Sequence, residues 1–173
     1  MIALPYGRIM TETQRETVPM VDDGEPAVAL AFLDFARHCA LKKLDGLSDE
    51  QQRRVLVPSG TSLLGLIRHL TVGERWWFGY HFDPEYPEQE WDFELTVPPG
   101  ASADEIVEQY RAAVIDSNAV IARLGDFETP TVRPVGDEPR TLRWVVAHMT
   151  SEVARHAVHA DILREQLDGV TGR

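Results

Sequence analysis

Cysteine is almost missing from this 173-residue chain, which has Cys39 alone. A single thiol excludes an intramolecular disulfide and any zinc site built on several cysteines, and it fits a reducing compartment. A metal site would have to draw on histidine and carboxylate. Basic residues are also short, with 17 Lys and Arg against 28 Asp and Glu and a formal net charge of −11. With no basic stripe, binding to nucleic acid or to anionic lipid is not expected. No run approaches the roughly 18 apolar residues of a membrane helix, and no basic segment followed by an apolar stretch opens the chain. The expectation is a cytoplasmic protein. Strand-like alternation and internal repeats are absent too.

What is present suits one globular domain. Hydrophobic residues make up 43% of the chain, and four Trp, six Phe and four Tyr can anchor a core without disulfide stapling. Residues 1–24 mix Pro, Thr, Glu and Asp without periodicity and are expected to form an extended arm ahead of a domain over 25–173.

Four segments have helical period. The first runs from Glu25 to about Leu44 and ends before Gly46. Ser48 to Gln51 has the form of a capping box, which predicts a short helical turn before Pro58 and Gly60 break the chain. The second begins with Thr61 or Ser62 as its cap and continues to about Phe82, with Trp76-Trp77-Phe78 closing one end of the fold. Residues 83–100 hold four prolines beside Trp91 and Phe93, the pattern of a long ordered loop that covers a site. A second capping box at Ser102 and Glu105 opens the third helix, which ends near Gly125. A polar stretch leads to the fourth, from Thr141 to a C-cap at Gly169. The pattern predicts an all-α four-helix bundle with a long loop between its second and third helices.

The last helix carries the chemistry. Met149, Val153, Ala160, Leu163 and Leu167 form its apolar stripe, and His156 falls within it. At about 100° per residue, Glu152 and His156 lie about 40° apart, with His159 read as sitting between them on or beside the buried face. Buried carboxylates and imidazoles need partners, and a divalent cation would satisfy several at once. A carboxylate and an imidazole at i and i+4 present lone pairs to one point. The third donor must come from another helix. His69 is the best placed, whereas His81 falls at the expected frayed aromatic end and His38 sits with Arg37 on a polar stretch. His148, one turn before Glu152, competes with it. The plainer reading is a hydrogen-bonded core histidine, with Glu152 paired to Arg155 or Arg75.

Leu66 to Leu70, with His69, is followed by Glu74-Arg-Trp76-Trp77-Phe78. Leu142 to Met149 then leads into Glu152-Val-Ala-Arg-His156-Ala-Val-His159-Ala-Asp161 and on to Gly169. Taken together, these segments resemble the DinB-like superfamily, which includes damage-inducible DinB proteins, mycothiol-dependent maleylpyruvate isomerase and bacillithiol transferases. The likeness spans about residues 25–169 and is strongest to an actinobacterial-type branch. It implies up-down-down-up helix order and a divalent ion held by His69, Glu152 and His156. His159 would be a nearby polar residue. Glu152 departs from the commonest three-histidine pattern, as in the isomerase-like branch. Zn²⁺ suits such a set, as do Ni²⁺, Mn²⁺ or Fe²⁺. Arg155 or Asp161 is a candidate supporting group.

The implied activity is a metal-dependent S-transferase or isomerase acting on a small molecule with a low-molecular-weight thiol of the mycothiol type. Trp76, Trp77 and the Trp91 loop would help enclose the substrate, and Cys39 is poorly placed to supply the thiol. One rival is a non-catalytic metal-binding stress-response protein or homodimeric binding module. Another is a hydrolase with His159 or His148 as general base.

Overall fold

Side chains that take up free amide groups mark where most of the helices begin. The computed structural model describes residues 16–172, and among these are five α-helices and no strand. Helix α1 (Glu25–Leu41) starts without a side-chain cap, with proline in its first turn, and runs into a 3₁₀ turn at Lys42–Leu44. The short α2 (Asp49–Arg53) and the long α4 (Ala103–Leu124) both open on complete capping boxes, Ser48 with Gln51 and Ser102 with Glu105. Helix α3 (Leu63–Glu74) is capped by Ser62. Thr141 caps α5 (Leu142–Asp168), and left-handed Gly169 ends it. The expected arm covers residues 1–24, of which 1–15 lie outside the described residues. Residues 16–24 carry no helix, and Glu16 contacts His38 and Lys42.

Helix α1 packs on α5, α3 on α4, and α3 directly on α5. Leu33, Leu64, Phe78, Val145, Met149 and Val153 form part of the main core. A smaller apolar cluster of Leu47, Leu63, Leu66, Ala160 and Leu163 joins α3 to α5 further along. In the polar stretch after α4 there are two isolated bridges, Pro130 with Thr141 and Val135 with Glu138.

The second helical segment is not one uniform helix as the spacing predicts. After Glu74 it widens into a π-helical turn over Arg75–Tyr80, with the His81 N–H donating to the Trp76 carbonyl at 3.2 Å. A wider turn rotates successive side chains less, so neighbouring Trp77 and Phe78 are both buried. It also carries His81 inward. His81 is buried among Trp76, Trp77 and Tyr80 instead of lying at a frayed end.

Arg37 likewise lies in the interior and not on a polar stretch with His38 as expected. Its guanidinium makes a two-pronged bond to Glu74, with Nε to Oε1 at 2.8 Å and Nη2 to Oε2 at 2.6 Å. Nη1 donates to Asp34 and Asn118, each at 2.8 Å. Burial works against the charge of Arg37, but the Glu74 carboxylate outweighs it and holds the guanidinium above its usual range. This pair ties α1 to the end of α3.

Candidate metal centre

Helix α5 places Glu152 and His156 one turn apart beside its apolar stripe, where Val153 is fully buried and His156 nearly so. Helix α3 brings His69 to face them. The His156 Nε2 lies 3.0 Å from Glu152 Oε1, and His69 Nε2 lies 3.8 Å from the same oxygen. The two imidazole rings meet edge to face with centroids 4.8 Å apart. One donor atom from each of the three residues falls within 4.8 Å of the others.

His69 owes its orientation to the loop after the π turn. Its Nδ1 lies 2.7 Å from the Phe93 carbonyl. A carbonyl only accepts, so Nδ1 carries the proton and Nε2 presents a lone pair toward Glu152 and His156. The loop can reach that far because Gly65 has no side chain. A Cβ there would overlap the Leu95 carbonyl. Arg68 adds hydrogen bonds to the Glu94 carbonyl at 3.0 Å and the Thr96 carbonyl at 3.2 Å, and pairs with Asp92. Sequence reasoning predicts the ordered loop but misses Phe93 as the anchor for His69. A glycine in the first turn of a helix is the available signal.

The electrostatics favour an ionised Glu152 and disfavour the charged form of His156. Burial raises the Glu152 pKa, but hydrogen bonds from Arg155 and His156 outweigh it and hold the carboxyl below its usual range. Arg155 is therefore the ion-pair partner of Glu152, on the oxygen that His156 does not use. Burial pushes the His156 pKa down, and His69 adds to the shift. His156 Nδ1 is buried without a hydrogen-bond partner. Two imidazoles and one ionised carboxylate match the donor set of a divalent cation, which would take the place of the proton that His156 Nε2 donates to Glu152.

Other sequence candidates lie elsewhere. His159 is exposed, with its ring centroid 5.4 Å from that of His156. The helical phase puts it about 20° beyond Glu152 on the solvent side, not between Glu152 and His156. His148 is half-buried and outside the converging group. It stacks on Trp144 at 5.1 Å and lies 4.5 Å from Trp77, and burial lowers its pKa. Asp161 pairs with Lys43. Cys39 is buried, and burial pushes its thiol pKa up, against formation of a thiolate.

A sequence model of the family described as Mycothiol-S-transferase matches residues 28–169, a span that includes α3, α4, α5 and most of α1. No curated protein matches the chain.

Proposed function

The chain belongs to the mycothiol S-transferase family, within the DinB-like superfamily, and from that premise we propose that it is a metal-dependent S-transferase. It would join a low-molecular-weight thiol of the mycothiol type to a small electrophile. The observation that carries this reading is the convergence of His69, Glu152 and His156 on one point between α3 and α5. In this reading α1, α3, α4 and α5 form a four-helix bundle of up-down-down-up order, in one domain over 25–173.

His69, Glu152 and His156 would hold the cation. A bound divalent cation supplies Lewis acidity, which lowers the pKa of a thiol or water that reaches it. Each residue has its own part. His69 is held in the correct tautomer by Phe93. Arg155 keeps Glu152 ionised while occupying its other oxygen. Burial disfavours the charged form of His156, and a cation would replace the proton that its Nε2 donates to Glu152. In the transfer, a sulfur–carbon bond forms and the bond from carbon to the leaving group breaks. The leaving group departs with the electron pair, and the thiol proton passes to solvent. Cys39 is buried, so the thiol must come from outside.

The test pairs elemental analysis with turnover. Protein purified without chelator is expected to carry near-stoichiometric metal, and His156→Ala to lose it. Equal metal in both would overturn the centre. Metal-reconstituted protein is expected to conjugate mycothiol to at least one of a panel of electrophiles. A bound metal with no turnover across the panel would overturn the transferase reading and favour a non-catalytic metal-binding protein.

A further inference from the structure

Beside the His69, Glu152 and His156 group lies a cavity of about 390 Å³ that shares His156 as a wall. Its apolar lining comes from three parts of the chain: Val57 ahead of α3, Leu95 in the loop, and Ile162 with Leu163 on α5. It rests on the smaller apolar cluster, to which Leu163 belongs and against which Val57 and Leu95 pack. Its remaining polar groups are the Ser59 and Thr61 hydroxyls and the imidazole of His159. No Asp, Glu, Lys or Arg lines it.

We propose that this cavity is the subsite for the electrophile, and that it selects uncharged, apolar molecules with an aromatic ring and one hydrogen-bond acceptor. The proposal rests on the transferase reading and gives it a substrate class. Three observations carry it.

The first is continuity. His156 belongs both to the converging group and to the cavity wall, so a molecule seated there presents its reactive carbon beside the centre. The second is charge. The lining side chains include no carboxylate, ammonium or guanidinium group, so an ionic occupant would find no countercharge among them to offset the hydration it gives up against the apolar wall. The same argument excludes mycothiol from this cavity. Its many hydroxyls would face Val57, Leu95, Ile162 and Leu163, so the thiol must approach from elsewhere. The third is size and polarity. A dry apolar cavity of roughly 150 Å³ holds benzene, so the larger space here admits a substituted or fused ring. Ser59 Oγ and Thr61 Oγ1 share one hydrogen bond at 2.9 Å. That bond uses one hydroxyl hydrogen and leaves the other to donate to a carbonyl, nitro or epoxide oxygen.

The test is direct binding without any thiol. Full-length protein, as purified, is titrated with nitrobenzene and separately with 4-nitrobenzoate, and the amide shifts of Thr61 and Ile162 are followed by NMR. Nitrobenzene is expected to shift both amides and to bind at least tenfold more tightly than the carboxylate. Ile162 is half exposed, so Ile162→Trp can fill the cavity without disturbing the core. Val57→Trp fills it from the opposite wall. Each variant is expected to weaken nitrobenzene binding at least tenfold, with metal content unchanged. Equal affinity for the two probes, no shift at either amide, or unchanged affinity in a folded filled variant would overturn the subsite. If nitrobenzene binds as expected but no electrophile is ever conjugated, the transferase reading falls while the neutral apolar pocket stands.

Discussion

Replacing Arg37 with methionine is expected to destabilise the protein by about 3–5 kcal/mol, because the change strands a buried charge. Glu74 is wholly buried, and Arg37 supplies both of the side-chain bonds to its carboxylate, at 2.8 Å and 2.6 Å. Methionine keeps much of the packing over Phe78, whose ring centroid lies 5.7 Å from the guanidinium carbon. The expected loss is therefore electrostatic. Asp34 and Asn118 are exposed and return to water, so their bonds add little. The double variant Arg37→Met with Glu74→Leu removes both charges and should recover most of the loss. Urea unfolding followed by circular dichroism, with equal m-values, gives the coupling energy. A single-variant cost below about 1 kcal/mol, or a double-variant cost equal to the sum of the singles, would refute the argument for these two charges. The consequence reaches the site, since the pair fixes the end of the helix that carries His69.

Adding Zn²⁺ at about 100 times its dissociation constant should stabilise the protein by about 2.7 kcal/mol. That corresponds to a rise of about 5–10 °C in Tm for a chain of this size, and scanning calorimetry should show no rise in His69→Ala or His156→Ala. Gly65→Ala should weaken metal binding about 10- to 100-fold with little change in the α5 residues. It displaces the Leu95 carbonyl and with it the Phe93 bond to His69, and metal competition would show unchanged affinity if the loop does not orient that ring. Burial lowers the pKa of His81, partly offset by the Arg133 carbonyl. The unfolded chain therefore binds the proton first, so this contribution to stability is complete above about pH 6.5 and is lost as pH falls below it. An NMR titration placing His81 at or above 6.5 would contradict this.

The parts legible in the sequence are those settled within one helix. Ser48 with Gln51, Ser102 with Glu105 and Gly169 are local signals, and each marks a helix boundary in the structure. Glu152 and His156 are four residues apart, so helical phase alone brings them together. The same phase, followed carefully, also sends His159 outward. Arg37 and Glu74 are 37 residues apart, and nothing in either helix's periodicity says that one charge waits for the other. An amphipathic pattern records exposure and not pairing, so it registers each of them only as a charged residue. His81 was misplaced for a related reason. The π turn changes the angular step in mid-helix, and a constant 3.6-residue period cannot follow it.

The least legible contact is the one that best distinguishes a working centre from three neighbouring polar residues. The Phe93 carbonyl that orients His69 is a backbone group, so no side-chain identity at position 93 reports it. What permits it lies elsewhere, at Gly65, where the loop backbone lies against α3. A histidine and a glycine four residues apart on one helix are thus joined through a loop that begins nearly twenty residues later. A core histidine paired with Glu152 would need no such support. Its ring could turn, and losing the loop contact would cost about 0.5–1.5 kcal/mol, one neutral hydrogen bond. A ligand is different, because losing the orienting bond frees the tautomer and the donor atom together. Gly65→Ala therefore separates the two readings. A small stability change with metal affinity intact identifies a structural histidine, and a large loss of affinity at similar stability identifies a ligand.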